Sequence, residues 1–168
     1  LISVVGAPLK EITDLLGEAT GLSVVEGQRI HYLDQVGSDS AVQVRDWTGD
    51  RLPAHVTSSG QVLLAWSQPS VRAAFLLAEL EPSTPHSITD PEVLAARLDH
   101  VRARGYAWVY EEFAEGLNSV AVPLRDESGA VIAAIHAHGP AFRFPGKRSP
   151  DEIGDLLAAA ADRIHVTT

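Results

Sequence analysis

The chain of 168 residues contains neither cysteine nor methionine. Without cysteine there are no disulfides, no thiol nucleophiles and no Cys-based metal sites. That leaves the compartment open, with cytoplasm as the default expectation. Basic residues are also scarce, 13 against 22 acids, for a formal charge of −9. Their one adjacent pair is Lys147-Arg148. A phosphate-neutralising surface needs clustered Lys and Arg, so this piece is not expected to touch nucleic acid itself. No apolar run approaches the roughly 18–20 residues that would span a bilayer. The opening LISVVGAPLKE has no basic n-region and no small-residue cleavage pattern, so no signal peptide is read there. It also lacks an initiator Met, and the chain is read as a fragment of a longer protein. Enzyme signatures are missing too: there is no GxGxxG, P-loop, GxSxG or HExxH.

What remains is one domain's worth of patterned sequence. PLKEITDLLGEATG (8–21) opens on a proline, carries apolar residues at helical spacing and closes on Gly21. Residues 22–36 read as two strands joined at Glu26-Gly27, and 40–47 as a third strand. Helices are expected over 56–67, 69–80 and 89–105, the last with a Thr89/Glu92 capping box and a Gly105 stop. A strand over 106–113 precedes a turn at 114–118, then a hairpin over 119–139 with its loop at Asp126–Gly129. A final helix over 149–166 starts with Ser149, Pro150 and Glu152. Strands in hairpins with helices between and around them predict an α+β domain, an antiparallel sheet carrying packed helices.

The segment IAAIHAHGP (132–140) sets two imidazoles two residues apart in an apolar strand, where they share one face. His136 and His138 could supply two metal ligands, line a small-molecule pocket, or stand at a solvated strand end. If they hold an anion, protonation makes them better donors, and affinity should fall as pH rises. Thr57-Ser58-Ser59-Gly60 falls where a helix begins, so its free N–H groups form a candidate carboxylate site, beyond plain N-capping. Glu111 and Glu112 are adjacent on a strand, face opposite sides, and read as a solvated strand end. Trp47, Trp66 and Trp108 read as core.

The ordered set LPAHVTSSGQVLLAW, RARGYAW, EE, GL, PLRD, GAVIA and HGP resembles the effector-binding domain of IclR-family transcriptional regulators over nearly the whole chain. The resemblance implies a GAF-like fold, a curved antiparallel sheet with a pocket on one face. It also implies a winged helix-turn-helix DNA-binding domain preceding residue 1, operator contact through that domain only, and a homodimer or homotetramer. No membrane contact and no cofactor are implied. The ligand would be a small metabolite, often a carboxylic acid or an aromatic catabolite. Carried over position by position, the resemblance puts the backbone anion site on Ser58, Ser59 and Gly60, and polar pocket positions on Ser119, His136 and His138. It puts apolar walls near Val44 and Leu52, and an acidic family position on Val109. Gln61 replaces the family's usual Lys, and the histidines replace smaller residues. The expected function is therefore ligand-sensing regulation without catalysis. A metal-dependent enzyme built on His136 and His138, and a structural dimerisation module with a vestigial pocket, are the rival readings.

Overall fold

The computed structural model describes residues 1–167. Helix α1 (Ile2–Leu16) leads into a hairpin of strands β1 (Ala19–Glu26) and β2 (Arg29–Val36). Strand β3 (Arg51–Pro53), a single 3-10 turn (Ala54–Val56), and helices α2 (Ser58–Ala65), α3 (Pro69–Leu77) and α4 (Pro91–Arg104) follow. Strands β4 (Ala107–Tyr110), β5 (Leu117–Arg125) and β6 (Val131–Pro140) and helix α5 (Pro150–Asp162) complete the chain. The six strands form one sheet in the order β3-β2-β1-β6-β5-β4, antiparallel at every pairing. This is the α+β architecture that the hairpin pattern predicts.

Both faces of the sheet are covered, and strand parity assigns the residues. Leu22, Val120, Val122 and Ile135 pack beneath α1 and α5. Ile30, Tyr32, Ala107, Ala121 and Ala134 face α2, α3 and α4. The alanines on this second face matter. Small side chains let α2 lie close to the sheet, so its first turn reaches the neighbourhood of the β6 histidines.

Three sequence expectations shift. The first helix occupies 2–16 rather than 8–21, with Pro8 inside it. Its buried stripe of Val5, Leu9 and Ile12 spans the proline, so packing outweighs the lost backbone hydrogen bond. Gly17 ends it in the left-handed region (φ 72°), which frees residues 19–21 for β1. Residues 40–47 are not a strand. Tyr32 exchanges backbone hydrogen bonds with Gly49 and Asp50, and short β3 takes the place beside β2, leaving 40–47 as a connecting loop. The cap of α4 moves by one residue: Asp90, not Thr89, accepts the Glu92 N–H at 2.9 Å, with Pro91 in the first turn.

The expectation that Glu111 and Glu112 form a solvated strand end is corrected most. Glu112 is buried, and both its carboxylate oxygens accept from Arg97 Nη1 on α4, at 3.1 and 3.2 Å. The same Nη1 lies 3.3 Å from Gln61 Oε1 on α2 and 3.4 Å from the Trp108 carbonyl. Glu112 in turn accepts the Tyr110 N–H at 3.2 Å. Trp108 and Tyr110 belong to β4, an edge of the sheet. The ion pair thus occupies backbone groups that an exposed edge would offer to another strand. Replacing Glu112 with Ala leaves a mostly buried guanidinium unpaired and uncaps the edge. The expected loss is about 2 kcal/mol of unfolding free energy, read from urea denaturation. A change within experimental error would show that the pair contributes nothing to the fold.

Candidate functional site

The site grows out of the register between three central strands. Across β1, β6 and β5, His136 pairs with Gly21 and Ala121, and His138 pairs with Ala19 and Ser119. One row further out, Val109 on β4 pairs with Ser119. Every residue paired directly across from the two histidines is therefore small. At Gly21 this is a strict requirement: a Cβ there would stand 2.5 Å from His136 Nε2 and 2.6 Å from the Asp34 carbonyl. The two imidazole rings stack with centroids 5.3 Å apart and planes 20° apart, and Tyr32 tilts against His136 at 4.8 Å.

A cavity of about 20 Å³ opens beside them, room for about one water molecule. Of the residues expected at a pocket, Leu52, Thr57, Val109, Ser119, His136 and His138 line it. Tyr32, Trp47, Phe113 and Leu117 line it as well and were not singled out from the sequence as pocket residues. Strand parity could have found two of them. Tyr32 lies two residues after buried Ile30 on β2, and Leu117 two before Ser119 on β5. Trp47 and Phe113 sit in irregular segments where no period applies. They meet edge-on at 5.2 Å, with the Arg45 guanidinium over the Trp47 ring at 3.9 Å.

Val44 lies in the 37–50 loop, half-buried, and is not on the cavity wall. Ser58, Ser59 and Gly60 are buried in the first turn of α2 behind that wall. Thr57 caps the helix by accepting the Gly60 N–H at 3.1 Å, and the Gln61 N–H bonds the Thr57 carbonyl. Of the first-turn donors, only the Ser58 and Ser59 N–H groups then lack an intrahelical partner. Gly60 serves packing: a Cβ there would fall 2.0 Å from the Ala54 carbonyl oxygen. The 3-10 turn before α2 occupies the space that the glycine leaves, so no ligand is needed to explain it.

Ser59 instead acts on the histidines. Its Oγ is 3.3 Å from His136 Nδ1, and Ser23 Oγ is 3.5 Å from the same atom. With a serine hydroxyl as donor, Nδ1 accepts and the proton sits on Nε2. Burial raises the pKa of the Tyr32 hydroxyl, against a partial downward pull from the Ser59 and Thr57 side chains. His136 Nε2 and His138 Nε2 are buried without a hydrogen-bond partner among the described residues. Burial, reinforced by His138, holds His136 well below the usual imidazole range. Burial likewise pushes His138 down to about 4, against a partial upward pull from Asp46. Both imidazoles are therefore neutral near pH 7. Among the described residues no three His, Cys, Asp or Glu side chains come together as a metal site. None of the described helices is long and apolar enough to cross a membrane.

An antiparallel, curled sheet with helices on both faces and a cavity walled by aromatics and paired imidazoles defines an α+β domain built around an interior pocket. The chain belongs to the family described as bacterial transcriptional regulator IclR C-terminal, whose model matches residues 1–166. It is 36% identical to the Pca regulon regulatory protein of Pseudomonas putida over 160 residues, covering 94% of this chain and 55% of that protein. With the HTH-type transcriptional regulator KdgR of Escherichia coli it shares 33% identity over 153 residues, covering 90% and 58%. Among solved structures, an IclR homolog complexed with 4-hydroxybenzoate, from Microbacterium hydrocarbonoxydans, superposes with a TM-score of 0.87 at 30% identity. That match covers 97% of this chain and 65% of the other. The chain thus spans little more than half the length of these curated relatives, which are named as regulators.

Two predictions follow from the buried geometry. Gly60→Ala should cost at least about 2 kcal/mol, because the methyl meets backbone that cannot swing aside; an unchanged urea midpoint would contradict the close packing. The second concerns acid. A histidine whose folded pKa lies below its unfolded value stabilises the fold fully above about pH 6.5, and that stability is lost as pH falls toward the folded pKa. For His138 the window is pH 6.5 down to about 4, and the loss is about 3 kcal/mol. His138→Gln should flatten the fall in urea midpoint across that window. An equally steep fall in the variant would assign it to other groups.

Proposed function

We propose that this domain senses a small aromatic carboxylate, and that the ligand biases how the longer regulator engages its operator. The observation that carries the reading is the pair of buried imidazoles with unpartnered Nε2 atoms on an aromatic-walled cavity. Buried polar atoms without partners are uncommon and call for an explanation. A ligand acceptor oxygen supplies it: with Ser59 donating to Nδ1, His136 presents Nε2–H even while neutral. Tyr32, Trp47 and Phe113 suit a planar ring, and Val109 keeps the far wall apolar. The 4-hydroxybenzoate carried by the Microbacterium homolog has this chemistry. Operator contact is assigned to a helix-turn-helix part outside these residues, in keeping with the HTH-type regulator KdgR. Self-association as a homodimer or homotetramer belongs to the same proposal, with closed symmetry the expectation for copies of one chain.

A cavity of about 20 Å³ does not hold a benzoate ring, so binding must move a wall. The 111–117 turn carrying Phe113 is fixed by the Arg97–Glu112 pair and by Thr84 and Ser87, whose hydroxyls donate to the Glu111 and Glu112 carbonyls at 2.6 Å each. The 37–50 loop carrying Trp47 is longer and has no buried residue, and it is tied at intervals: Gln35 to the Arg45 and Trp47 backbone, Ser40 to the Gly17 carbonyl, Arg143 to the Val42 carbonyl, and Tyr32 to Gly49 and Asp50. The loop is the wall that moves. An arriving anion also raises the depressed histidine pKa values, so binding takes up protons. Affinity then falls as pH rises toward the bound-state pKa and levels off above it.

The test is calorimetry with 4-hydroxybenzoate from pH 5 to 8, chelator present, in buffers of different ionisation enthalpy. Proton uptake at the acid end is expected, with about tenfold or greater weakening in His136→Ala and His138→Ala. Binding abolished by chelator, or affinity climbing with pH, would replace the anion by a metal, which needs neutral imidazole.

A further inference from the structure

A second cavity, of about 260 Å³, lies beyond the other end of α2. Ile30 of β2, Leu63 and Leu64 of α2, and Phe75 of α3 form its floor and sides, and half-exposed Val25 and Val71 flank the mouth. It is separate from the histidine cavity. Ile30 faces it, whereas Tyr32, two residues on, faces the histidines. Its apolar walls would exclude a charged body. One of its lining residues, however, is a cation. Arg29, at the β1–β2 turn, uses Nη1 to donate to the Arg51 carbonyl at 3.1 Å and pairs with no carboxylate among the described residues. The nearby acid, Glu26, is engaged instead by Arg51 and His31. Glu79 and Glu81 line a neighbouring cleft that shares Arg29, not this cavity.

We propose that this cavity is a second small-molecule site, for an amphipathic monoanion whose apolar body fills it and whose carboxylate meets Arg29. Size and charge set the class. An apolar cavity of about 150 Å³ takes a benzene, so the larger volume here suits a body of about ten non-hydrogen atoms. In a chain carrying net charge −9, an unpaired guanidinium at an apolar cavity selects a carboxylate over an ammonium on the same tail. Ser67, whose hydroxyl donates to the Leu64 carbonyl at 2.8 Å, keeps lone pairs for a water at the rim.

The test is calorimetry of the whole chain with sodium octanoate and with 1-octanol. Variants are Ala74→Trp, at an exposed α3 position on the cavity wall, Arg29→Gln and His136→Ala. Saturable one-to-one octanoate binding is expected, with Ala74→Trp weakening it at least about tenfold while the urea midpoint stays unchanged. Arg29→Gln should weaken octanoate about fivefold and leave octanol unchanged. His136→Ala should leave octanoate binding intact, whether or not the histidine cavity takes 4-hydroxybenzoate. No saturation, or equal affinity in Ala74→Trp, would overturn the site. Loss in His136→Ala would place octanoate in the first cavity. Dissociation of a dimer by Ala74→Trp in sedimentation, with octanoate affinity unchanged, would make the cavity a seam between copies and likewise overturn the proposal.

Discussion

One guanidinium holds the site's framework in place. Arg97 reaches from α4 to the Glu112 carboxylate, to Gln61 on α2 and to the Trp108 carbonyl on the sheet edge. Three elements that approach the cavity from different directions are thereby fixed to one planar group. All of these contacts come from Nη1, whose two hydrogens are shared among the acceptors. Gln61 completes the arrangement by donating from Nε2 to the His55 carbonyl at 3.0 Å, which ties the turn before α2 into the same network. The glutamine that departs from the family's usual lysine is therefore a buried cross-link here, with both its amide ends used.

The second constraint is the pair of neutral histidines. Removing imidazoles from water is tolerable only uncharged, and the environment enforces that: burial depresses both, and His138 adds to the depression at His136. Satisfaction is one-sided. His136 Nδ1 is met by Ser59 and Ser23, while both Nε2 atoms lack partners. An apolar residue at either position would remove the unpartnered Nε2 atom that the histidine leaves there. The polarity is retained where it is least favourable to stability, which is the pattern of a site shaped for something else.

The architecture was legible because it rests on short-range rules. Hairpin turns, Ser149 and Pro150 at the start of α5, and the alternation along β6 all act over a few residues. The resemblance, not parity, grouped Ser119 with the histidines, and the β5–β6 register pairs Ser119 with His138. What was not legible depends on contacts distant in sequence. Trp47 joins the cavity from a loop with no periodicity, and Glu112 is buried because Arg97, 15 residues away, meets it. The first helix was misjudged for a related reason. Pro8 reads locally as a helix start, and the tertiary burial of Val5 on its N-terminal side carries the helix back through it. Gly60 shows the opposite error: a glycine at a helix start suggested a ligand, and the space was already filled by Ala54.

These facts bear on how a sensor of this design would work. A site closed to about 20 Å³ cannot be filled without rearranging its walls, so part of any ligand's intrinsic affinity goes into displacing the 37–50 loop. That displacement involves Arg143, which bonds the Val42 carbonyl and also pairs with buried Glu18 at the junction of α1 and β1. The loop is thus linked to the C-terminal end of the first helix. A ligand can shift an equilibrium only by its differential affinity for the two states. Here the differential is built in: the closed state excludes the ligand sterically, and the open state alone offers both imidazoles. In the proposed function, binding and conformational response are then the same event, because a benzoate ring cannot enter the pocket while Trp47 remains against Phe113.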